Sequence, residues 1–132
     1  MITSEWTKWS NNHRHVNTNR PIFEQEITAA LTHFSYHVTK GSFALVDIQG
    51  SQSNRVFTLS DPCFVSSLPA GGLLGPTDIG AACINSFFFD THKTCNKFCG
   101  KDWKRPQNKL KELVRVKKDE ESRSTSTRSQ TN

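Results

Sequence analysis

At 132 residues, with 34% hydrophobic side chains and a mean hydropathy of −0.59, the chain has material for one core drawn from a few concentrated segments, with solvated flanks. No apolar run approaches the roughly 18 residues that span a bilayer, and residues 1–6 lack the basic, apolar and small-residue regions of a secretion signal, so a cytoplasmic protein with no membrane partner is expected. The net charge of +5 is concentrated between Lys97 and Lys118, where Trp103 stands without the interleaved aromatics of a base-stacking surface, and nucleic acid is not the expected partner.

Residues 1–20 are polar apart from Trp6, Trp9 and Val16 and read as an irregular entry segment. From Pro21 the pattern changes. Ile22, Phe23, Ile27, Ala30, Leu31, Phe34 and Val38 recur at three- and four-residue steps, which predicts an amphipathic helix begun by Pro21 and ended at Lys40-Gly41. Ser42–Gln49 alternates and predicts one strand, with Phe43, Leu45, Asp47 and Gln49 on one face and Ala44, Val46 and Ile48 on the other. Gly50–Asn54 is turn chemistry and Arg55–Leu59 a short β-prone run, so a hairpin is expected that carries Asp61 back towards Asp47 and Gln49. Residues 66–80 read as a loop, Ala81–Phe89 as a second helix, and a third short helix is expected to start near Thr94. Residues 108–118 can form a helical turn or two. Residues 119–132 are Ser/Thr-rich, charged and expected to be disordered, with hydroxyls at 122–131 open to phosphorylation.

Two clusters carry chemistry. Asp47 sits in the most hydrophobic strand, with Gln49 two residues on and Asp61 across the expected hairpin. Two carboxylates and an amide oxygen are hard ligands suited to Mg²⁺ beside a phosphate, although a strand simply ending in solvent would look the same. Cys95 and Cys99 stand four apart, so on a helix both sulfurs face one way, and with His92 they offer three ligands to one zinc ion. His92 and Cys99 would lie about 10.5 Å apart on one continuous helix, so the helix should begin after His92. His33 or His37 on the first helix would complete a closed site, whereas two core cysteines and an exposed histidine are the plainer alternative. Cys63 and Cys83 read as small core residues. Residues 75–80 place glycines before a helix, a weak anion-site pattern that fits neither common phosphate-loop motif.

Leu31-Thr32-His33-Phe34-Ser35-Tyr36, Leu45-Val46-Asp47-Ile48-Gln49-Gly50, Leu59-Ser60-Asp61-Pro62, Gly75-Pro76-Thr77-Asp78-Ile79-Gly80 and Cys95-Asn96-Lys97-Phe98-Cys99, in that order, resemble the carboxy-terminal lobe of the alpha-type protein kinases. The resemblance runs over about residues 6–100. It implies an α+β, zinc-stapled lobe over 21–103, in which a short β-hairpin sheet is packed by helices, preceded by a post-hinge entry segment and followed by a basic tail over 104–132. It implies transfer of the ATP γ-phosphate to Ser or Thr of a protein substrate. Asp47 would be the catalytic aspartate, Gln49 and Asp61 would hold Mg²⁺, and Gly75, Thr77, Asp78 and Gly80 would belong to the glycine-rich segment beside nucleotide and peptide. His33, His92, Cys95 and Cys99 would bind structural Zn²⁺.

The chain departs from the family's form in three places. His92 stands three residues before Cys95 where the family has two, the turn after Gly50 is longer, and Leu74 replaces an aromatic. The resemblance begins just past the family's hinge, so the amino-terminal lobe is expected to lie outside this sequence or to come from another chain. The fragment alone is then expected to be weak or inactive, and a non-catalytic zinc-stapled module that binds a partner is the alternative.

Overall fold

Pro21, with φ fixed at −53°, opens helix α1 (Ile22–Val38), and its carbonyl accepts the N–H groups of Glu24 and Gln25 at 3.0 and 3.1 Å. The computed structural model describes residues 6–11 and 16–113. Helix α1 ends as predicted, where Lys40 and Gly41 turn left-handed and the Gly41 N–H closes on the Tyr36 carbonyl at 2.8 Å. No helix among the described residues is long and apolar enough to cross a membrane.

The alternation over Ser42–Gln49 forms two strands in place of the predicted one. Strand β2 (Phe43–Val46) stops at Asp47, whose φ of 55° breaks the pleat, and strand β3 (Gln49–Ser53) begins in a different sheet. Residues 50–53, read from the sequence as a turn, are therefore strand. Their backbone is claimed on one side by strand β1 (Thr7–Lys8) and on the other by strand β4 (Val56–Leu59), giving the order β1-β3-β4. The hairpin turn is Asn54-Arg55, both with positive φ, as a tight two-residue connection requires. β2 pairs instead with β5 (Cys63–Ser66), which the sequence did not predict, in the antiparallel register Val46↔Cys63 to Phe43↔Ser66.

The free edge of β2 is satisfied from the helix. Thr32 Oγ1 donates to the Leu45 carbonyl at 2.7 Å, and the Leu45 N–H donates to Ser35 Oγ at 2.7 Å. Polar positions on α1 thus stand in for a neighbouring strand. Against this layer pack α2 (Ala81–Ser86) and one wider π-helical turn, Phe87–Thr91, where a single α-helix over 81–89 was expected. The core is Tyr36, Ala44, Val46, Val65, Cys83, Ile84 and Phe88, with Cys63 packed at its margin.

Two features concern the chain on either side of the 21–103 lobe. Among the described residues of the entry segment, β1 pairs with β3, and Trp9, 1% exposed, donates its indole N–H to Glu24 Oε1 at 2.9 Å. Arg20 holds the same carboxylate at 2.8 and 3.1 Å and, with Trp9, keeps it below its ordinary value although it is buried. Residues 104–113, placed in the tail, lie against the lobe without helix: Leu110 and Asn85 exchange bonds of 2.7 and 2.8 Å, and the Leu113 N–H reaches the Pro69 carbonyl. The stretch from 114 onward, including the expected disorder and phosphorylation sites, lies outside the described residues.

Gly50 sets how closely the hairpin can form. Its φ is 151°, and a Cβ there would sit 1.9 Å from the Thr58 carbonyl oxygen and 2.9 Å from Leu59 Cα, both backbone atoms. Gly50→Ala is expected to force β4 away from β3 and to cost about 3 kcal/mol or more. Urea denaturation reads this, and a midpoint equal to that of the parent protein would show that β4 yields freely.

Candidate functional site

The first cluster forms where the two sheets part. The β2/β5 ladder ends at Val46↔Cys63 and the β3/β4 ladder starts at Gly50↔Leu59, extended one step by the Ser60 N–H donating to the Gln49 carbonyl at 3.1 Å. Both strands of the pair cross between sheets at this level. Asp47 (φ 55°) makes one crossing and Asp61 (φ 51°) the other, each left-handed as Asp tolerates better than most residues. The topology thus sets the two aspartates in facing crossovers. Gln49 Nε2 donates to Asp47 Oδ2 at 3.4 Å.

The sequence reading missed Lys8. From β1, in register with Gln49, its Nζ stands 2.9 Å from Asp47 Oδ1 and the side chain remains half exposed. Only the short pairing of β1 with β3 brings the two together, so no local signal announced it.

The glycine-bearing segment divides in two. Gly75 faces open space at φ 110°, and Thr77 Oγ1 accepts from the Cys63 thiol at 3.6 Å, next to the Asp61 crossover. Asp78 points inward instead: it is 1% exposed and accepts from the Ser66 N–H (2.8 Å), Ser66 Oγ (2.7 Å), the Gly80 N–H (2.9 Å) and the Leu74 N–H (3.3 Å). Gly80 carries the close approach that makes this possible, since a Cβ there would meet the Leu68 carbonyl oxygen at 2.4 Å. Asp78 therefore anchors the segment and leaves Gly75 and Thr77 at the surface.

The second cluster gathers His33, His92, Cys95 and Cys99, with one ligand atom of each lying within 4.8 Å of all the others. The route differs from the expected one. No helix forms at 94–99; Asn96 Oδ1 accepts the Phe98 N–H at 2.9 Å, the Cys99 N–H closes on the Asn96 carbonyl at 3.1 Å, and Asn96 Nδ2 ties the turn to the Glu26 carbonyl of α1 at 2.9 Å. The asparagine turn wins over the helix and still aims both sulfurs inward. Cys95 Sγ lies 3.6 Å from His33 Nδ1, and Cys99 Sγ lies 3.4 Å from His92 Nε2. The π-helical turn resets the chain's phase just before His92, whose N–H closes on the Phe87 carbonyl at 2.6 Å and whose ring stacks on Phe87 at 5.0 Å.

Between His33 and His37, the structure favours the first. His37 Nδ1 accepts the Lys104 N–H at 2.9 Å and lies outside the four-ligand group. Burial lowers the His33 pKa, helped by the nearby charges of Arg105 and His37 and opposed by its bond to the Lys104 carbonyl. Burial first, then the His33 and Arg105 charges, bring His92 down to about 4. Both rings are therefore neutral near pH 7, the form that ligates metal. Burial also pushes the Cys99 thiol up, so ionisation there calls for a cation. Two neutral imidazoles and two thiols converging at this range suit a closed tetrahedral Zn²⁺ site. A cleft of about 440 Å³, lined by Trp9, Thr28, Thr32, Phe87, His92 and Cys95 among others, opens beside this cluster.

A model of the alpha-kinase family matches residues 1–99. The human transient receptor potential cation channel subfamily M member 6 is 30% identical over 103 residues, which are 76% of this chain and 5% of the channel protein. Among solved structures, an alpha kinase from Entamoeba histolytica superposes with a TM-score of 0.67 at 25% identity, over 87% of this chain and 42% of that one. The alpha-kinase domain of myosin heavy chain kinase A in complex with AMPPCP superposes with a TM-score of 0.55 at 31% identity, over 75% and 34%. The sequence thus spans a twentieth of the curated channel protein and well under half of either solved chain.

Proposed function

This chain belongs to the alpha-kinase family, and on that premise we propose that it is the acceptor-side lobe of a Ser/Thr protein kinase, its phosphoryl-transfer chemistry held by Asp47, Lys8, Gln49 and Asp61. The observation that carries the reading is the pair of left-handed aspartates in facing crossovers, with Lys8 and Gln49 on the first. The Lys8 ammonium, 2.9 Å from the Asp47 carboxylate, adds a cation at the same point.

In this reading Asp47 orients the substrate hydroxyl and accepts its proton, and Lys8 turns its half-exposed ammonium to the phosphate oxygens that gain charge. Gln49 and Asp61 would supply oxygen ligands for Mg²⁺, whose charge would neutralise the ATP phosphates. Gly75 and Thr77 present the backbone that lies along the peptide. Phosphoryl transfer draws its rate from positioning and charge neutralisation, so a lobe holding one side of the site is expected to be nearly inert by itself.

Incubating the chain with ATP, Mg²⁺ and a threonine-containing peptide should give no turnover above that of Asp47→Ala. Turnover that Asp47→Ala abolishes would show a complete site within these residues. Calorimetry tests the chemistry itself: ATP should give a Mg²⁺-dependent heat that Asp61→Asn removes. Absence of that heat would favour the second reading, a zinc-stapled module that binds a partner.

A further inference from the structure

The family match ends at residue 99, yet the next residues wrap the His/Cys cluster. Residue 100 must be small: a Cβ on Gly100 would fall 2.0 Å from Trp103 Nε1. The chain folds back over it, and the Trp103 ring meets His33 at 5.4 Å edge-on, Phe34 at 5.4 Å and His37 at 6.3 Å. Lys104 then uses both sides of its backbone. Its N–H donates to His37 Nδ1 at 2.9 Å, and its carbonyl lies 2.9 Å from His33 Nε2. A carbonyl only accepts, so His33 carries its proton on Nε2 and keeps the Nδ1 lone pair facing Cys95. Arg105 spreads its guanidinium over the carbonyls of Phe88 (3.2 Å), His92 (2.5 Å) and Lys93 (2.9 Å), lies 3.7 Å from Cys95 Sγ, and stacks 5.0 Å from the Phe88 ring centre.

We infer that Trp103-Lys104-Arg105 is a positioning strap for the metal site, setting the His33 tautomer and fixing the turn that carries His92 and Cys95. The inference rests on reading the cluster as a metal site. Partners of this kind around a ligating histidine raise its basicity and hold its ring in place, and losing one typically costs about 10- to 100-fold in metal affinity. Arg105 is suited to the task because its planar fork reaches several carbonyls at once, which a lysine ammonium on a flexible stem does not.

The test uses the full 132-residue chain. Zn²⁺ affinity, measured by competition with a chromophoric chelator, should fall about 10- to 100-fold in Arg105→Ala and also in Arg105→Lys, which keeps the charge but loses the fork. Cobalt-loaded Arg105→Ala should show altered ligand-field bands, which a purely structural loss would leave alone. Unchanged affinity and bands in Arg105→Ala would overturn the strap. Should that variant fail to fold, nitrogen-15 spectra of the zinc-loaded parent protein decide: His33 ligated through Nδ1 with its proton on Nε2 supports the strap, and ligation through Nε2 overturns it. A parent protein that binds no Zn²⁺ removes the metal site and the strap together.

Discussion

On the reading of the His/Cys cluster as a zinc site, adding a chelator to this chain is expected to unfold it. His33 stands in the middle of α1 and Cys95 lies 62 residues further on, so the cluster joins two ends of the lobe. The apolar core between them is small for the length of chain it must order. Structural zinc contributes about 10–16 kcal/mol of apparent free energy in small zinc modules, as much as the whole net stability of an ordinary domain. Without the ion, His33 and His92 are buried imidazoles, 0% and 5% exposed, beside two thiols. A thermal melt monitored by circular dichroism should therefore lose its cooperative transition on addition of chelator, and Cys99→Ser should behave alike without it. Coincident melts with and without chelator would reduce the four residues to an ordinary polar patch.

Asp78→Ala is the second large effect. Removing the carboxylate strands three backbone N–H groups and a serine hydroxyl in a site that is 1% exposed. Each unsatisfied buried donor costs about 1–3 kcal/mol, and allowing for some relaxation the total should reach about 3–5 kcal/mol. Asp78→Asn keeps one acceptor oxygen and should lose less. A sign also follows for pH. Burial pushes the Asp78 pKa up, but the bonds from Ser66, Leu74 and Gly80 outweigh it and hold the folded value below the ordinary 3.8. This stabilisation is fully present above the unfolded value and is lost as pH falls through the lower folded one, so acid unfolding should begin earlier once the bonds are gone. A loss under about 1 kcal/mol for Asp78→Ala would mean that the segment over 71–80 is anchored elsewhere.

What the sequence made legible follows the range of each physical signal. The bounds of helix α1 were readable because Pro21 marks its start and Lys40-Gly41 its end, but the buried face was not: Ile22, Phe23, Phe34 and Val38 of the expected apolar face are exposed, while Glu24, Thr28, Thr32, His33 and Ser35 are buried. The break at Asp47 was not, because alternation continues straight through it: Ala44, Val46 and Ile48 are all buried, as one unbroken strand would have them. The polar run 50–53 resembles a turn and becomes strand only through β1 and β4. Spacing on a helix suggested the Cys95/Cys99 pair, yet Asn96 builds a turn that satisfies the same geometry. Asp47, Gln49 and Asp61 stood out as candidate oxygen ligands by their chemistry, and the role expected of each came from the resemblance. Lys8, Trp103 and Arg105 reach their positions only through tertiary contacts, and their spacing holds no trace of that.

The two crossovers also separate what must stay constant from what is free to vary. The hairpin of β3 and β4 grows outward from Asp47 and Asp61 and closes far off at Asn54-Arg55. Rungs can be added to or taken from its tip in matched pairs while each side chain keeps its face and the base of the ladder stays where it is. The number of residues between 47 and 61 is then no measure of the gap their carboxylates span. Added pairs would lengthen the arm and leave the hinge point untouched.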